Sequence, residues 1–143
     1  MVKEIPAKGL EYIYDKGEMI AIILRNEFES EEINFFTPNN FSQQLGYLPH
    51  KKGERIKAHR HIYNRREVHF TQEALFIRKG KVKVNLYNGQ KSFICSEILM
   101  QGDIILLCGG GHGFEMLEDS VMIELKQGPY TGESDKERFD GAE

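Results

Sequence analysis

Glycine stands at positions 46, 53, 80, 89 and 102, at 109, 110, 111 and 113, and at 128. From residue 46 onward these glycines cut the chain into pieces that suit short strands and interrupt any long helical period. Between the cuts lie β-rich runs: Met19–Leu24, Ile33–Thr37, Val68–Ile77, Lys81–Tyr87, Ser92–Leu99, Asp103–Leu107 and Val121–Leu125. Several alternate in period two. In Lys81–Tyr87 the residues Val82, Val84 and Leu86 share one face while Lys81, Lys83 and Asn85 share the other, as a half-buried strand requires. Asn88-Gly89 comes directly after, and that dipeptide between alternating runs signals a hairpin because both residues tolerate positive φ. The expectation is an all-β sandwich or barrel.

The first 45 residues are less regular, with Pro6, Pro38 and a charged patch from Glu27 to Glu32. They read as edge strands and connections that extend or cover one sheet. The tail from Tyr130 to Glu143, rich in Gly, Asp, Glu and Lys, reads as an exposed end. Neither a repeat nor a linker divides the chain. Its 143 residues, 40% of them hydrophobic and with nine Phe and six Tyr, can bury a core as one domain, 1–143. Nineteen Lys plus Arg against 22 Asp plus Glu leave a net charge of −3, which lacks the basic footprint of a nucleic-acid binder. The longest apolar runs, Ile20–Leu24 and Ile104–Cys108, are too short to cross a bilayer, and no signal-like segment opens the chain. A cytoplasmic protein with no nucleic-acid and no membrane partner is expected, its two cysteines, Cys95 and Cys108, reduced and mostly buried.

Chemistry concentrates in the histidines. His59 and His61 stand two apart, a spacing that on a strand puts both imidazoles on one face. Downstream, parity places Glu67, His69, Thr71 and Glu73 on one face, opposite Val68, Phe70 and Gln72. A glycine-rich turn then holds His112, where the backbone can fold tightly around a ligand. Two histidines from one strand, a carboxylate from the next and a histidine from a later turn form a mixed nitrogen and oxygen donor set. Such a set suits Fe, Mn, Ni, Co or Zn, without choosing among them. Solvated side chains are the plain alternative for each residue. Glu67 also lies beside Arg65 and Arg66, where an ion pair explains it.

The spacing Gly53, His59, His61, Glu73, Gly80 resembles the first motif of the cupins, and Gly102, Cys108, Gly110, His112 resembles their second. The resemblance runs from Gly53 to about Leu125. Eleven residues separate His61 from Glu73 where the family has fewer, so Ile62–Arg66 reads as a loop inserted at the barrel mouth. In the second motif Cys108 replaces the family's proline, His112 comes one residue early and Met116 stands in place of asparagine. The resemblance implies a cupin-type jelly-roll β-barrel with N-terminal edge strands, its core spanning about 46–127 after an N-terminal extension of 1–45. It also implies a homodimer, and a divalent transition metal held by His59, His61, Glu73 and His112.

The ending Lys126-Gln127-Gly128-Pro129-Tyr130 is similar to small cupins of bacterial surface-sugar biosynthesis. That similarity implies a metal-dependent enzyme acting on a small oxygenated molecule, a sugar or nucleotide sugar, by isomerisation or epimerisation. Its proton carrier would be His69, which could equally be a core histidine. Arg65 and Arg66 are candidates to clamp an anionic substrate, a solvated basic turn being the alternative. The competing readings are an Fe-dependent dioxygenase and a small-ligand binding cupin without turnover, since a fold does not select its chemistry.

Overall fold

The computed structural model describes residues 1–141. Eleven strands and no helix occur among them: β1 (Val2–Ala7), β2 (Leu10–Asp15), β3 (Glu18–Leu24), β4 (Asn34–Phe35), β5 (Gly46–Tyr47), β6 (Glu73–Lys79), β7 (Lys81–Tyr87), β8 (Phe93–Met100), β9 (Ile104–Leu107), β10 (Gly111–Met116) and β11 (Val121–Lys126). All pairings are antiparallel. The all-β expectation holds. The closed barrel does not appear: one sheet has the order β1-β2-β3-β9-β6-β11, a second the order β10-β7-β8, and each keeps two edges. As expected, β1 lies at an edge, whereas β3 is interior, with β2 on one side and β9 on the other.

The chain divides into two units, 1–29 with 71 onward, and 30–70. In the first, the inner faces of both sheets build one core. Ile13, Ile20, Ala21, Ile23, Leu75, Ile77, Ile105 and Leu107 come from the six-stranded sheet, and Val82, Val84, Leu86 and Leu99 from the three-stranded one. The alternation read in Lys81–Tyr87 is realised: Val82, Val84 and Leu86 are fully buried, while Lys81, Lys83 and Asn85 are only partly so. The expected hairpin joins β7 to β8 through a longer turn. The Asn88 side-chain oxygen accepts from the amides of Gln90 and Ser92, and the left-handed conformation falls on Lys91.

A charged cluster clips the two sheets at one side. Arg25, just past β3, donates to both Glu11 oxygens (2.6 and 3.2 Å), to Glu97 (3.2 Å), to Asp103 (3.1 Å) and to the Ile98 carbonyl (2.5 Å). Lys3 adds contacts to Glu11 at 2.7 Å and to Glu97 at 2.8 Å. Burial opposes ionisation of Glu11, yet its hydrogen bonds to Arg25 and Lys3 bring its carboxyl below the ordinary value.

The second unit has one small pair of strands, β4 with β5, and the Phe35 ring lies against Gly46 so closely that a Cβ there would come within 2.7 Å of it. Thr37 donates to the Gln44 side chain, whose amide donates back to the carbonyls of Pro38 and Phe41. From residue 51 to 70 the chain is exposed throughout and forms no strand.

Candidate functional site

Two of the four expected metal ligands meet in the first unit. Glu73 opens β6 and His112 is the second residue of β10, so they come from different sheets. The ladder row through Glu73 contains Leu107 and Ala21, both core residues, and the row through His112 contains Leu86. Both side chains therefore project from inner faces. The Glu73 carboxylate lies 3.3 Å from the His112 Nε2, with side chains 13% and 30% exposed, respectively. His112 thus sits in a strand instead of the glycine-rich turn that its sequence suggests. The hydrogen bond from His112 is the main influence holding the Glu73 carboxyl below the ordinary range, against the opposing effect of burial.

Two neighbours of the pair escape a reading of the sequence by motif. Lys126 stands directly across the ladder from Glu73, and Glu124 lies two residues back on the same face. The Lys126 charge favours ionised Glu73, and the Lys126 ammonium is 3.8 Å from Glu124. The available signal is period-two parity in Val121–Lys126, which puts Met122, Glu124 and Lys126 on one face. It gains meaning only once the β6–β11 register is known.

The other candidates lie in the second unit. His59 and His61 are on exposed, unpaired backbone, not on a strand, because nothing there supplies a ladder partner. They are nonetheless neighbours, with ring centroids 5.5 Å apart at 75°. The His59 Nδ1 is 3.0 Å from the Lys57 carbonyl. A carbonyl only accepts, so Nδ1 carries the proton, and in the neutral ring the lone pair is on Nε2. His69 and Glu67 also fall outside the strand expected for Val68–Ile77, which starts at Glu73. Glu67 is 3.7 Å from the Arg65 guanidinium and 3.6 Å from the His69 Nε2, in side chains 67% to 80% exposed. The ion-pair explanation of Glu67 is the one realised. Arg66 is exposed as well.

Chemically, a carboxylate oxygen facing an imidazole nitrogen can hold or pass a proton, and the same two atoms are donors suited to a first-row divalent ion. Among the described residues, however, no group of three or more His, Cys, Asp or Glu side chains is arranged to hold a metal. Glu73 and His112 form a donor pair within the first unit, and His59 and His61 are neighbours within the second. Cys108, near in sequence, is no candidate nucleophile: burial pushes its thiol up to about 12. No helix among the described residues is long and apolar enough to cross a membrane. Comparison with known proteins finds no matching family model, no similar curated protein and no similar solved structure.

Proposed function

We propose that this chain is a cupin-type jelly-roll protein that binds a divalent first-row ion (Fe, Mn, Ni, Co or Zn) and acts on a small oxygenated molecule. The observation that carries the reading is the 3.3 Å contact between Glu73 and His112, two residues singled out by motif spacing and delivered by different sheets. Strand order supports it. From β6 to β11 the chain visits the six-stranded, three-stranded, three-stranded, six-stranded, three-stranded and six-stranded sheets in turn, a Greek-key alternation of the kind from which jelly rolls are built. In this reading His59 and His61 complete the ligand set, the protein is a cytoplasmic homodimer, and the substrate is a sugar or nucleotide sugar that is isomerised or epimerised during surface-polysaccharide synthesis. His69 is the proposed proton carrier, and Arg65 and Arg66 the proposed contacts for an anionic substrate.

Metal analysis of protein purified without a histidine tag tests the core of the proposal. Wild type should carry about one ion per chain, and joint replacement of His59 and His61 by Ala should abolish loading while the fold persists, because the apolar core does not depend on an ion. Glu73→Gln should lower affinity sharply, since it removes a charged oxygen donor and keeps the shape, whereas Glu67→Gln should leave it within a few fold. Loading that survives the double histidine variant, or the reverse ranking of the two glutamates, overturns the ligand assignment.

A further inference from the structure

The six-stranded sheet ends in two unlike edges, β1 and β11. β1 carries Pro6, which has no N–H to offer, and its pairing with β2 is irregular between Glu4 and Ala7; both features discourage a further strand. β11 contains no proline and pairs with β6 without a break from Met122 to Lys126. Among the described residues no strand lies along its other edge. Parity decides what that edge offers. Leu75 and Ile77 belong to the core, so Ala74 and Phe76 turn outward, and with them their ladder partners Leu125 and Ile123. Leu125 is 70% exposed, Ile123 44% and Phe76 38%, an apolar patch that reaches the open edge.

The inner face of the same strand is charged, with the Lys126 ammonium 3.8 Å from the Glu124 carboxylate. Antiparallel pairing of two copies of β11 about a two-fold axis puts one residue opposite itself and keeps outward side chains beside outward ones. The possible axis residues differ in what they bring together. Glu124 on the axis opposes two like charges, which is unfavourable. Ile123 on the axis sets Glu124 against Met122. Leu125 on the axis sets Glu124 of each copy opposite Lys126 of the other, joins the four groups into one cluster of alternating charge, and lays the most exposed of these apolar side chains against its own counterpart. In that register the strand is complementary to itself on both faces.

We infer that a second copy of this chain docks on β11, strand to strand and antiparallel with Leu125 on the two-fold axis, so that the six-stranded sheet continues into that of the other copy. This interface is that of the homodimer proposed above, a reading on which it rests. The open backbone of β11 gains ladder partners, and Leu125 and Ile123 lose exposed apolar area. Glu124 lies one inward position along the strand from Lys126, the ladder partner of Glu73. The second copy's Lys126, placed opposite Glu124, therefore adds a charge to the face that carries the Glu73–His112 pair.

Sedimentation of the full chain at micromolar concentration should give twice the chain mass. Leu125→Arg, which opposes two guanidinium groups on the axis, should give a monomer with an unchanged urea midpoint for the fold, since the position is exposed. Glu124→Lys and Lys126→Glu should each weaken self-association about tenfold by opposing like charges twice. Mixed together, these two variants should form a heterodimer in native mass spectrometry, because every cross-strand contact then joins opposite charges. Under mild oxidation Leu125→Cys should crosslink to a second copy, as directly opposite residues have Cα atoms about 4.5–5.5 Å apart and within disulfide reach, whereas Ile123→Cys should not. A monomeric wild type overturns the homodimer and this interface with it. A dimer that survives Leu125→Arg and does not crosslink through Leu125→Cys keeps the homodimer and overturns the interface alone, and so does a mixture of the two charge variants that forms no heterodimer.

Discussion

Single positions show how far local pattern carries. Asn88-Gly89 marks the β7–β8 hairpin correctly, but the glycine is not what shapes the turn: its φ is not positive, and a Cβ there would meet nothing within 4 Å. Gly80, between β6 and β7, has a φ of +92° and no room, since a Cβ would collide with the Ser120 hydroxyl and the Asp119 carbonyl. Gly89→Ala should therefore be neutral or stabilise by up to about 1 kcal/mol, through a less free unfolded chain. Gly80→Ala should destabilise by about 2 kcal/mol or more, combining backbone strain with a backbone collision. Urea unfolding of the two variants checks the contrast, and equal effects would mean that the turn geometry is wrong. The dipeptide announces a reversal of the chain, but which residue takes the strained conformation depends on hydrogen bonds to Asn88 that no dipeptide rule contains.

At the level of strands, alternation is a reliable guide wherever a neighbour exists to pair with. Lys81–Tyr87 has β8 on one side and β10 on the other and is a strand over its whole expected length. The run Val68–Ile77 alternates just as well, yet only its second half is a strand, because the ladders with β9 and β11 both end at Glu73. The same loss of partners removes the premise behind the facing of His59, His61, Glu67 and His69: parity orders side chains only on paired, extended backbone. Pattern is equally silent about which strands lie opposite each other, and so the Arg25 cluster, joining positions as distant as Lys3 and Asp103, is not legible in the sequence. Its removal should be costly. Arg25 is 18% exposed at its side chain and neutralises three acidic partners, so Arg25→Met should destabilise by about 2–4 kcal/mol by stranding them. The lowered Glu11 carboxyl sets a pH dependence. A depressed folded value contributes stability that is complete above the ordinary carboxylate range and is lost as pH falls through the depressed value. Thermal unfolding between neutral and acid pH should show this loss in wild type and a shallower one in Arg25→Met. Parallel curves would remove Glu11 from the account.

For the whole molecule, the decisive contrast is between a sheet stitched from distant segments and a stretch that is not stitched at all. Residues 51–70 are exposed at every position and carry Lys51, Lys52, Arg55, Lys57, Arg60, Arg65 and Arg66, so trypsin should cut there first. The products should not separate. The N-terminal fragment contributes β3, whose Ala21, Ile22, Ile23 and Leu24 pair with Leu107, Leu106, Ile105 and Ile104 of the C-terminal fragment. Ile13, Ile20, Ala21 and Ile23 are also part of the common core, and Arg25 holds Glu97 and Asp103 across the cut. The nicked protein should therefore elute as one species under native conditions and as two in denaturant, whereas separation in native buffer would show that the β3–β9 ladder does not hold the unit together. The same digestion bears on the proposed ligand set. If His59 and His61 take up a divalent ion, Arg60 between them becomes part of an ordered segment, and saturating Mn²⁺ or Zn²⁺ should slow cutting at that bond in wild type but not in the variant lacking both imidazoles. Cutting at Lys51 and Lys52 should be affected less, because a constraint at His59 and His61 weakens with distance along an unpaired chain. Ion-independent cleavage at Arg60 would leave Glu73 and His112 as a pair without these partners and would favour a reading in which the two act by exchanging protons.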